Sequence, residues 1–135
     1  MLKCERIVKT FYDALEEGRV LARRCPECGH IEYPPYLACN ACGNLDTEWV
    51  ELPKHVMCNQ VIPVSAMFLE PDFKANVGNY FVAAIQPENG YEVGSVLINV
   101  DPSRAEEIRA RLPVAVRPVI VQEDGYKNVH WELDE

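Results

Sequence analysis

The sequence predicts a mainly β protein with an N-terminal α-helix, a small metal-binding ribbon, and a five-stranded barrel that has one helix between its third and fourth strands. Three observations predict this order. Two Cys-x-x-Cys-Gly motifs lie close together near the start of the chain. Five short strand patterns separated by turn signals follow them. One helix pattern with its own N-cap stands between the third and fourth of these strands.

The first element is a helix over residues 2–17. Apolar residues recur there at the spacing of one helical face. Gly18 follows, at a position where helices commonly end. The next stretch, Arg19 to Arg24, is basic and strand-like and runs directly into the first cysteine motif.

The two cysteine motifs are C-P-E-C-G over residues 25–29 and C-N-A-C-G over residues 39–43. Each motif places two thiolates on a tight turn whose backbone amides point toward sulfur, and the glycine permits the conformation of the turn. Two such turns supply the four tetrahedral sulfur ligands that zinc accepts. Four thiolates leave no position for water or substrate, so we expect one structural, non-catalytic zinc on Cys25, Cys28, Cys39 and Cys42. Redox iron is the alternative, although rubredoxin separates the same motifs by a longer insertion.

The segment after the first motif is short and rich in proline. Residues 31–37 predict an extended hairpin with polyproline character at Pro34 and Pro35. The chain returns through residues 48–52, and we place a domain boundary near Pro53. The predicted domains are the helix over 1–18, the ribbon over 19–53 and the barrel over 54–135.

The barrel strands are predicted over 56–68, 80–86, 92–100, 114–122 and 126–134. Pro63 bends the first strand, and residues 71–78 are predicted as a loop. The Asn89-Gly90 step marks the hairpin between the second and third strands. Asp101 is the expected N-cap of the inserted helix, with Pro102 at its first position. Five strands with a helix in this place are the order of the OB-fold, a small partly open Greek-key barrel.

Composition and charge exclude several classes of protein. The net charge of −8 is spread as +2 over residues 1–24, −4 over 25–60 and −6 over 61–135. Such a surface repels phosphate backbones and argues against a nucleic-acid-binding module. No run approaches the roughly 20 apolar residues of a membrane helix, and charged residues interrupt any signal-peptide pattern at the start. We therefore expect a cytoplasmic protein whose cysteines are reduced or metal-bound.

Several other side chains have a functional and a structural interpretation. Cys58 with His55 would be a nucleophile and its base, but a thiol in an apolar strand is more often a core residue. Cys4 lies on the first helix, and for it too a packing role is the favoured interpretation. His30 is expected at the surface or behind the metal ligands, because four sulfurs already complete the shell. Four aromatic residues either stack on a base or adenine ring or pack the ribbon on the barrel, and packing is favoured: Tyr33, Tyr36, Trp49 and Phe73.

These motifs together resemble a known family, the rubredoxin-like zinc ribbon joined to an acyl-CoA-associated OB-fold domain. The resemblance covers nearly the whole chain. It is carried by residues 11–21 running into Arg24-Cys25, by the paired cysteine motifs, by Tyr33-Pro34-Pro35 and by Glu48-Trp49. The chain departs from the common family pattern at Tyr36, where arginine is usual, at Asn40, where proline is frequent, and at residues 52–55, where a glycine-rich segment is usual.

The resemblance implies a small non-catalytic subunit that docks on a thiolase-fold enzyme, or on an acyl-CoA hydratase, and helps to form the acyl-CoA path. A degradative thiolase of aromatic-compound metabolism, such as one acting on 2-benzoylsuccinyl-CoA, is one implied partner, and sterol side-chain and polyketide relatives are others. The sequence carries no Ser-His-Asp set, glycine-rich phosphate loop or paired-carboxylate motif, which agrees with an auxiliary role. A nucleic-acid-binding ribbon and barrel is the alternative from a different class.

Basic residues gather in one region of this acidic chain. In an acyl-CoA complex they are candidates to hold the phosphates of coenzyme A, or they form a solvated edge. The candidates are Arg19, Arg23, Arg24 and Lys54. Three arginines of the later helix compete for the same role: Arg104, Arg109 and Arg111.

Metal analysis tests the ribbon directly. Protein purified under reducing conditions should contain about one zinc per chain, since there is one four-thiolate site. Iron with charge-transfer colour would instead assign the site to electron transfer.

Overall fold

The computed structural model describes residues 6–64 and 71–135. Its helices and strands follow in chain order: α1 (Arg6–Glu16), β1 (Leu21–Arg24), β2 (Ile31–Glu32), β3 (Glu48–Glu51), β4 (Val56–Pro63), α2 (Pro71–Val77), β5 (Phe81–Pro87), β6 (Val93–Leu97), α3 (Ala105–Arg111), β7 (Val114–Gln122) and β8 (Lys127–Leu133). Strands predominate, and the order of helix, ribbon and barrel predicted from the sequence is confirmed. None of the helices in these two ranges is long and apolar enough to span a bilayer.

α1 ends where the sequence predicts. Gly18 has φ of 80°, and its amide donates to the carbonyl of Leu15 while the amide of Arg19 donates to Ala14. This left-handed glycine satisfies two carbonyls that the last helical turn leaves open. The buried face of α1 carries Phe11, Ala14 and Leu15. Residues 2–5 of the predicted helix lie outside the described residues.

The ribbon is a three-stranded antiparallel sheet in the order β2-β1-β3. In its central strand Arg23 pairs with Glu32 on one side and with Trp49 on the other. The predicted segment 31–37 is extended only over Ile31–Glu32, and the Tyr33-Pro34 peptide bond is cis. The sheet is therefore small, with strands of four, two and four residues.

β4 to β8 close into a barrel in the order β4-β5-β6-β8-β7. Numbered within the barrel this order is 1-2-3-5-4, the OB-fold arrangement. Neighbouring strands are antiparallel except at β6 and β8, which join through the parallel pair of Leu97 and Trp131. Both of these side chains are fully buried, as is Ile85. The barrel interior is therefore a packed core rather than a channel.

α3 lies between β6 and β7, the third and fourth barrel strands, as predicted. The side chain of Asp101 accepts a hydrogen bond from the amide of Ser103 at 2.9 Å, and Pro102 begins a 3-10 turn that leads into α3. Ile108 is fully buried, and Arg109 Nε lies 3.4 Å from the carbonyl of Val61 in β4. α3 thus packs its apolar face on the barrel.

α2 corrects the prediction of a loop over residues 71–78. Phe73 meets the rings of Tyr80 and His130 edge-on, at centroid distances of 4.7 and 5.2 Å. Asn76 Nδ2 donates to the carbonyl of Gln122 at 3.0 Å. A segment of seven residues is too short to show a helical period in the sequence. Contacts with the barrel therefore stabilise this helix. The first barrel strand is described to Pro63, and residues 65–68 of the predicted strand lie outside the described residues.

The helix, the ribbon and the barrel share one core. Tyr33 of the ribbon contacts Phe11 of α1 at 6.1 Å and Trp131 of the barrel at 5.9 Å between ring centroids. The ribbon also pairs with the β5–β6 turn, because the amide of Ile31 donates to the carbonyl of Asn89 at 2.8 Å. The ribbon is thus held against one end of the barrel. The residue limits given above for three domains remain a prediction.

The packing of α3 predicts a stability difference on one helix. Ile108→Ala should lower the free energy of unfolding by about 2–5 kcal/mol, because it leaves a cavity at a fully buried position. Glu106→Ala, on the exposed side of α3, should change it by less than about 0.5 kcal/mol. Urea unfolding followed by circular dichroism measures both, and equal midpoints would contradict the packing described here.

Candidate metal centre and surrounding surfaces

The four predicted cysteine ligands converge on one point. Their sulfur atoms all lie within 4.8 Å of one another, and the Sγ atoms of Cys25 and Cys42, like those of Cys28 and Cys39, are 3.6 Å apart. A tetrahedron with zinc–sulfur bonds of 2.3 Å has edges of about 3.8 Å. The cage therefore fits a single ion of this size. Cys25 and Cys39 are buried, whereas Cys28 and Cys42 face outward.

The two Cys-x-x-Cys-Gly turns, here called the first knuckle (residues 25–29) and the second knuckle (residues 39–43), have the same backbone geometry. The amide of Gly29 donates to the carbonyl of Cys25 at 2.9 Å, and that of Gly43 donates to Cys39 at 2.8 Å. Both glycines have positive φ, 77° and 81°. Such a turn suits glycine because a side chain there would be strained. The sequence repeat is thus a structural repeat.

The thiol pKa values indicate a need for a cation. The backbone amide of Cys28 lowers the pKa of Cys25 to about 6, which favours the thiolate that binds metal. The backbone amide of Asn44 lowers the pKa of Cys42. The neighbouring thiol of Cys25 and burial outweigh this effect, so the pKa of Cys42 is raised to about 12. Thiols this close cannot all ionise unless a positive ion joins them. The donor set therefore fits zinc, which would hold the knuckles together.

Two buried polar side chains lie behind the cage. His30 and Glu32 are 7% and 6% exposed, and His30 Nε2 lies 3.0 Å from Glu32 Oε1 without hydrogen-bond alignment. The carboxylate of Glu32 accepts from the backbone amide of Asn40 at 2.7 Å and from its side-chain amide at 3.1 Å. His30 was expected at the surface or behind the ligands, and it is buried there. Glu32 was missed, because its role depends on a contact eight residues away.

The predicted coenzyme A contacts lie in different environments. Arg23 is buried, donates to the hydroxyl and carbonyl oxygens of Thr47, and lies 4.8 Å above the ring of Trp49. Arg24 is exposed and pairs with Glu48 at 2.7 Å. Arg23 thus helps to hold the ribbon, whereas Arg24 lies on its surface.

Arg19 and Lys54 line one shallow cavity of about 370 Å³ between the ribbon and the barrel. Arg117, which the sequence did not suggest, lines it as well. Carboxylates already pair with the two arginines: Glu17 and Glu51 with Arg19, and Glu132 and Asp134 with Arg117. Lys54 has no carboxylate within 4.0 Å among the described residues.

The competing arginines in α3 and in the turn before it are engaged elsewhere. Arg104 and Arg111 both pair with Glu107 and Glu135, and Arg109 lies against a β4 carbonyl. The contacts of Arg104 and Arg111 hold Glu135 against this helix. They leave the cavity beside Lys54 as the better candidate for an anionic group.

Packing is the role of three of the four aromatic candidates. Tyr33 joins helix, ribbon and barrel, Trp49 lies under Arg23, and Phe73 packs α2 on the barrel. Tyr36 is 59% exposed. Cys58 is a core residue, because it is fully buried and burial raises the pKa of its thiol. Cys4 lies outside the described residues.

In the described ranges, apolar side chains reach the surface on the ribbon and on one side of the barrel. The ribbon apolar surface consists of Tyr36, Leu37 and Leu45, which are 59%, 61% and 77% exposed. The barrel apolar face consists of the exposed Ile62 and Val82 and the half-buried Val96, which the strand register aligns across β4, β5 and β6. These three strands contain no lysine or arginine. OB-folds bind oligonucleotides on this part of the barrel, so an uncharged surface here disfavours nucleic acid.

Comparison with known proteins agrees with this architecture. Residues 13–48 match the family described as the ChsH2 rubredoxin-like zinc ribbon domain. The cysteine segment is therefore similar to the ChsH2 zinc ribbon. No curated protein sequence matches the chain.

Two solved structures resemble the whole chain. One is described as "Ltp2-ChsH2(DUF35) aldolase" and matches with a TM-score of 0.64 and 17% identity, over 100% of both chains. The other is a DUF35-family protein of unknown function from Sulfolobus solfataricus, with a TM-score of 0.58 and 16% identity, over 93% of this chain and 84% of that one. At these identities the matches show the fold. This chain thus joins a zinc ribbon to an OB barrel as these structures do, and the resemblance predicted from the sequence is confirmed for this fold.

Two cysteine substitutions separate the cage from the core. Cys39→Ser should remove most of the bound zinc, since three thiolates and a hydroxyl form a weaker site. Cys58→Ala should keep one zinc per chain, because its sulfur lies in the barrel core. Release of zinc to a coloured chelator measures the content of each variant. A full zinc content in Cys39→Ser would remove this residue from the ligand set.

Proposed function

We propose that this chain is a non-catalytic, zinc-containing subunit of a thiolase-type acyl-CoA complex, which docks on the catalytic subunit and helps to form the acyl-CoA site or channel. One observation carries the proposal: the end-to-end structural match to the Ltp2-ChsH2(DUF35) aldolase, whose name joins two proteins. The match runs from α1 through the ribbon to the last barrel strand. A degradative thiolase, such as one of aromatic-compound metabolism in the cytoplasm, is the partner we favour.

The chemistry of the described residues supports an auxiliary role. A cage of four thiolates that binds one zinc leaves no coordination position for substrate. The remaining described cysteine, Cys58, is buried. The two buried histidines face carboxylates, since His30 lies beside Glu32 and His130 Nε2 lies 3.0 Å from Glu123. The partner would therefore supply the cysteine and histidine that form or cleave the carbon–carbon bond.

The ribbon apolar surface is the proposed docking site. Exposed apolar side chains on a small domain often mark an interaction site, and tyrosine is enriched at the centre of protein interfaces. Residues 25–60 carry a net charge of −4, and four thiolates with one zinc add −2. The partner face that fits is therefore apolar at its centre and basic at its rim.

The cavity between ribbon and barrel is the proposed site for the coenzyme A phosphates. Lys54 is the strongest of the predicted contacts because it has no carboxylate within 4.0 Å in the described part of the chain. Arg19 and Arg117 can turn toward a phosphate only by leaving their carboxylates, and such exchange between exposed pairs is inexpensive. Arg24 is a weaker candidate and Arg23 the weakest, since its donors are used inside the ribbon.

Affinity capture of the full chain from its own organism tests the proposal. Mass spectrometry should find a thiolase-fold protein in stoichiometric amount, and the purified complex should turn over an acyl-CoA. Leu37→Asp with Leu45→Asp should reduce the captured partner at least about tenfold, as expected for central interface residues. The matched control, Ile62→Asp with Val82→Asp on the barrel apolar face, should leave capture unchanged.

Other outcomes would replace the proposal. Stoichiometric capture of an acyl-CoA hydratase without a thiolase-fold protein would assign the chain to that enzyme. A monomer that binds single-stranded nucleic acid, with affinity that falls steeply as salt rises, would assign it to the nucleic-acid class. Loss of the partner only in the barrel-face variant would move the docking site to the barrel.

A further inference from the structure

Glu32 has an unusual position for a carboxylate. It is 6% exposed and lies on β2, the two-residue strand that follows the first knuckle. Both of its oxygens accept hydrogen bonds from Asn40, the residue directly after the ligand Cys39. The backbone amide of Asn40 is the closer donor, at 2.7 Å. Glu32 therefore holds the second knuckle through two hydrogen bonds from Asn40.

The same short strand, β2, also contacts the barrel at the turn between β5 and β6. The amide of Ile31 donates to the carbonyl of Asn89 at 2.8 Å, and Ile31 forms a parallel bridge with Gly90. A Cβ on Gly90 would lie 2.9 Å from the Ile31 carbonyl, so only glycine permits this approach. His30 packs its ring on Tyr91 at 4.4 Å. His30 and Ile31 thus contact Asn89, Gly90 and Tyr91 of the β5–β6 turn, here called the barrel turn (residues 87–91).

Electrostatics alone does not explain a carboxylate at this place. Four thiolates with one zinc carry a net charge of −2, so a further negative charge nearby is unfavourable. Burial of a carboxylate is also costly, and it is tolerated only where hydrogen bonds or a nearby positive group compensate for lost water. The two bonds from Asn40 provide hydrogen-bond compensation, and the ring of His30 lies 3.0 Å from Oε1. The carboxylate is therefore best explained by the geometry that it imposes on the knuckle.

We propose that Glu32 is the positioning residue that links the metal site to the barrel. By holding the amide of Asn40, it orients the second knuckle for zinc. Through β2 it transmits the order of that knuckle to the barrel turn. Zinc binding and the fixed position of the ribbon on the barrel are then one coupled event, and Glu32 is the physical connection between them.

The first knuckle offers a matched way to cut this connection. Pro26 occupies there the position that Asn40 occupies in the second knuckle, so the knuckle turn accepts a residue without an amide hydrogen. Asn40→Pro therefore removes both donors to Glu32 while the turn itself is retained. Glu32→Ala cuts the same link from the other side. Glu32→Gln keeps an oxygen for the Asn40 amide and is the conservative variant.

Zinc affinity is the first measurement, by competition with a chelator of known affinity. Glu32→Ala and Asn40→Pro should each weaken zinc binding about 10–100-fold, as is usual for residues that orient metal ligands. The double variant should lose little more zinc affinity than whichever single variant binds zinc more weakly, because both substitutions remove the same link. Glu32→Gln should lose less than Glu32→Ala. Glu48→Ala, an exposed ribbon carboxylate paired with Arg24, is the control and should not change the affinity.

Amide hydrogen exchange of zinc-saturated protein is the second measurement. In the wild-type chain, chelation of zinc should speed exchange of Ile31 and of the barrel turn at least about tenfold. In Glu32→Ala and Asn40→Pro these amides should exchange fast even with zinc bound. The amides of β7 and β8 should stay protected in every variant, which reports that the barrel is folded.

The two measurements give a clear decision. The proposal would be overturned if the barrel-turn amides of zinc-saturated Glu32→Ala and Asn40→Pro exchanged at the wild-type rate. It would also be overturned if both variants bound zinc with affinities within threefold of the Glu48→Ala control. If Glu32→Ala does not fold, Asn40→Pro gives the same test, and Glu32→Gln remains the variant expected to retain most of the link. None of these readouts depends on a partner or on enzymatic activity, so they stand or fall separately from the proposed function.

Discussion

The ribbon depends on the convergence of four thiolates. Its strands have four, two and four residues, too few to form a stable sheet alone. A metal ion in the cage would join two turns that ten residues separate in the chain, and it would thereby stabilise the segment between them, including Glu32 and Tyr33. Tyr33 in turn inserts between Phe11 and Trp131. The position of the ribbon on the barrel therefore follows from the metal site.

A closed cage also limits what this chain can do. Four thiolates around one zinc would leave no open position for substrate, and in the described part of the chain side chains fill the barrel core. What the fold offers instead is a rigid support for surfaces: the exposed leucines of the ribbon, the uncharged strands β4 to β6, and the cavity beside Lys54. These features are expected of a subunit that completes the site of another protein.

Local signals predicted most of the fold. The cysteine spacing, Gly18 after the first helix and Asp101-Pro102 before α3 each act within a few residues, so they can be read from the sequence. α2 was missed because its stability comes from Phe73 packing on Tyr80 and His130, which a seven-residue segment does not reveal. Glu32 and Arg117 were missed for the same reason: their partners come from other strands or turns. For the site, residue types were predictable, but the distinction between buried Arg23 and available Lys54 required the folded chain.

X-ray absorption at the zinc edge tests the central claim most directly. The claim is that the four cysteines close the metal shell and that this closure, rather than catalysis, is the purpose of the site. The account predicts four sulfur scatterers at about 2.3 Å and no nitrogen or oxygen ligand. Three sulfurs with one nitrogen or oxygen scatterer would contradict it, because the shell would then include His30 or an exchangeable water, and a catalytic role for the metal would be open.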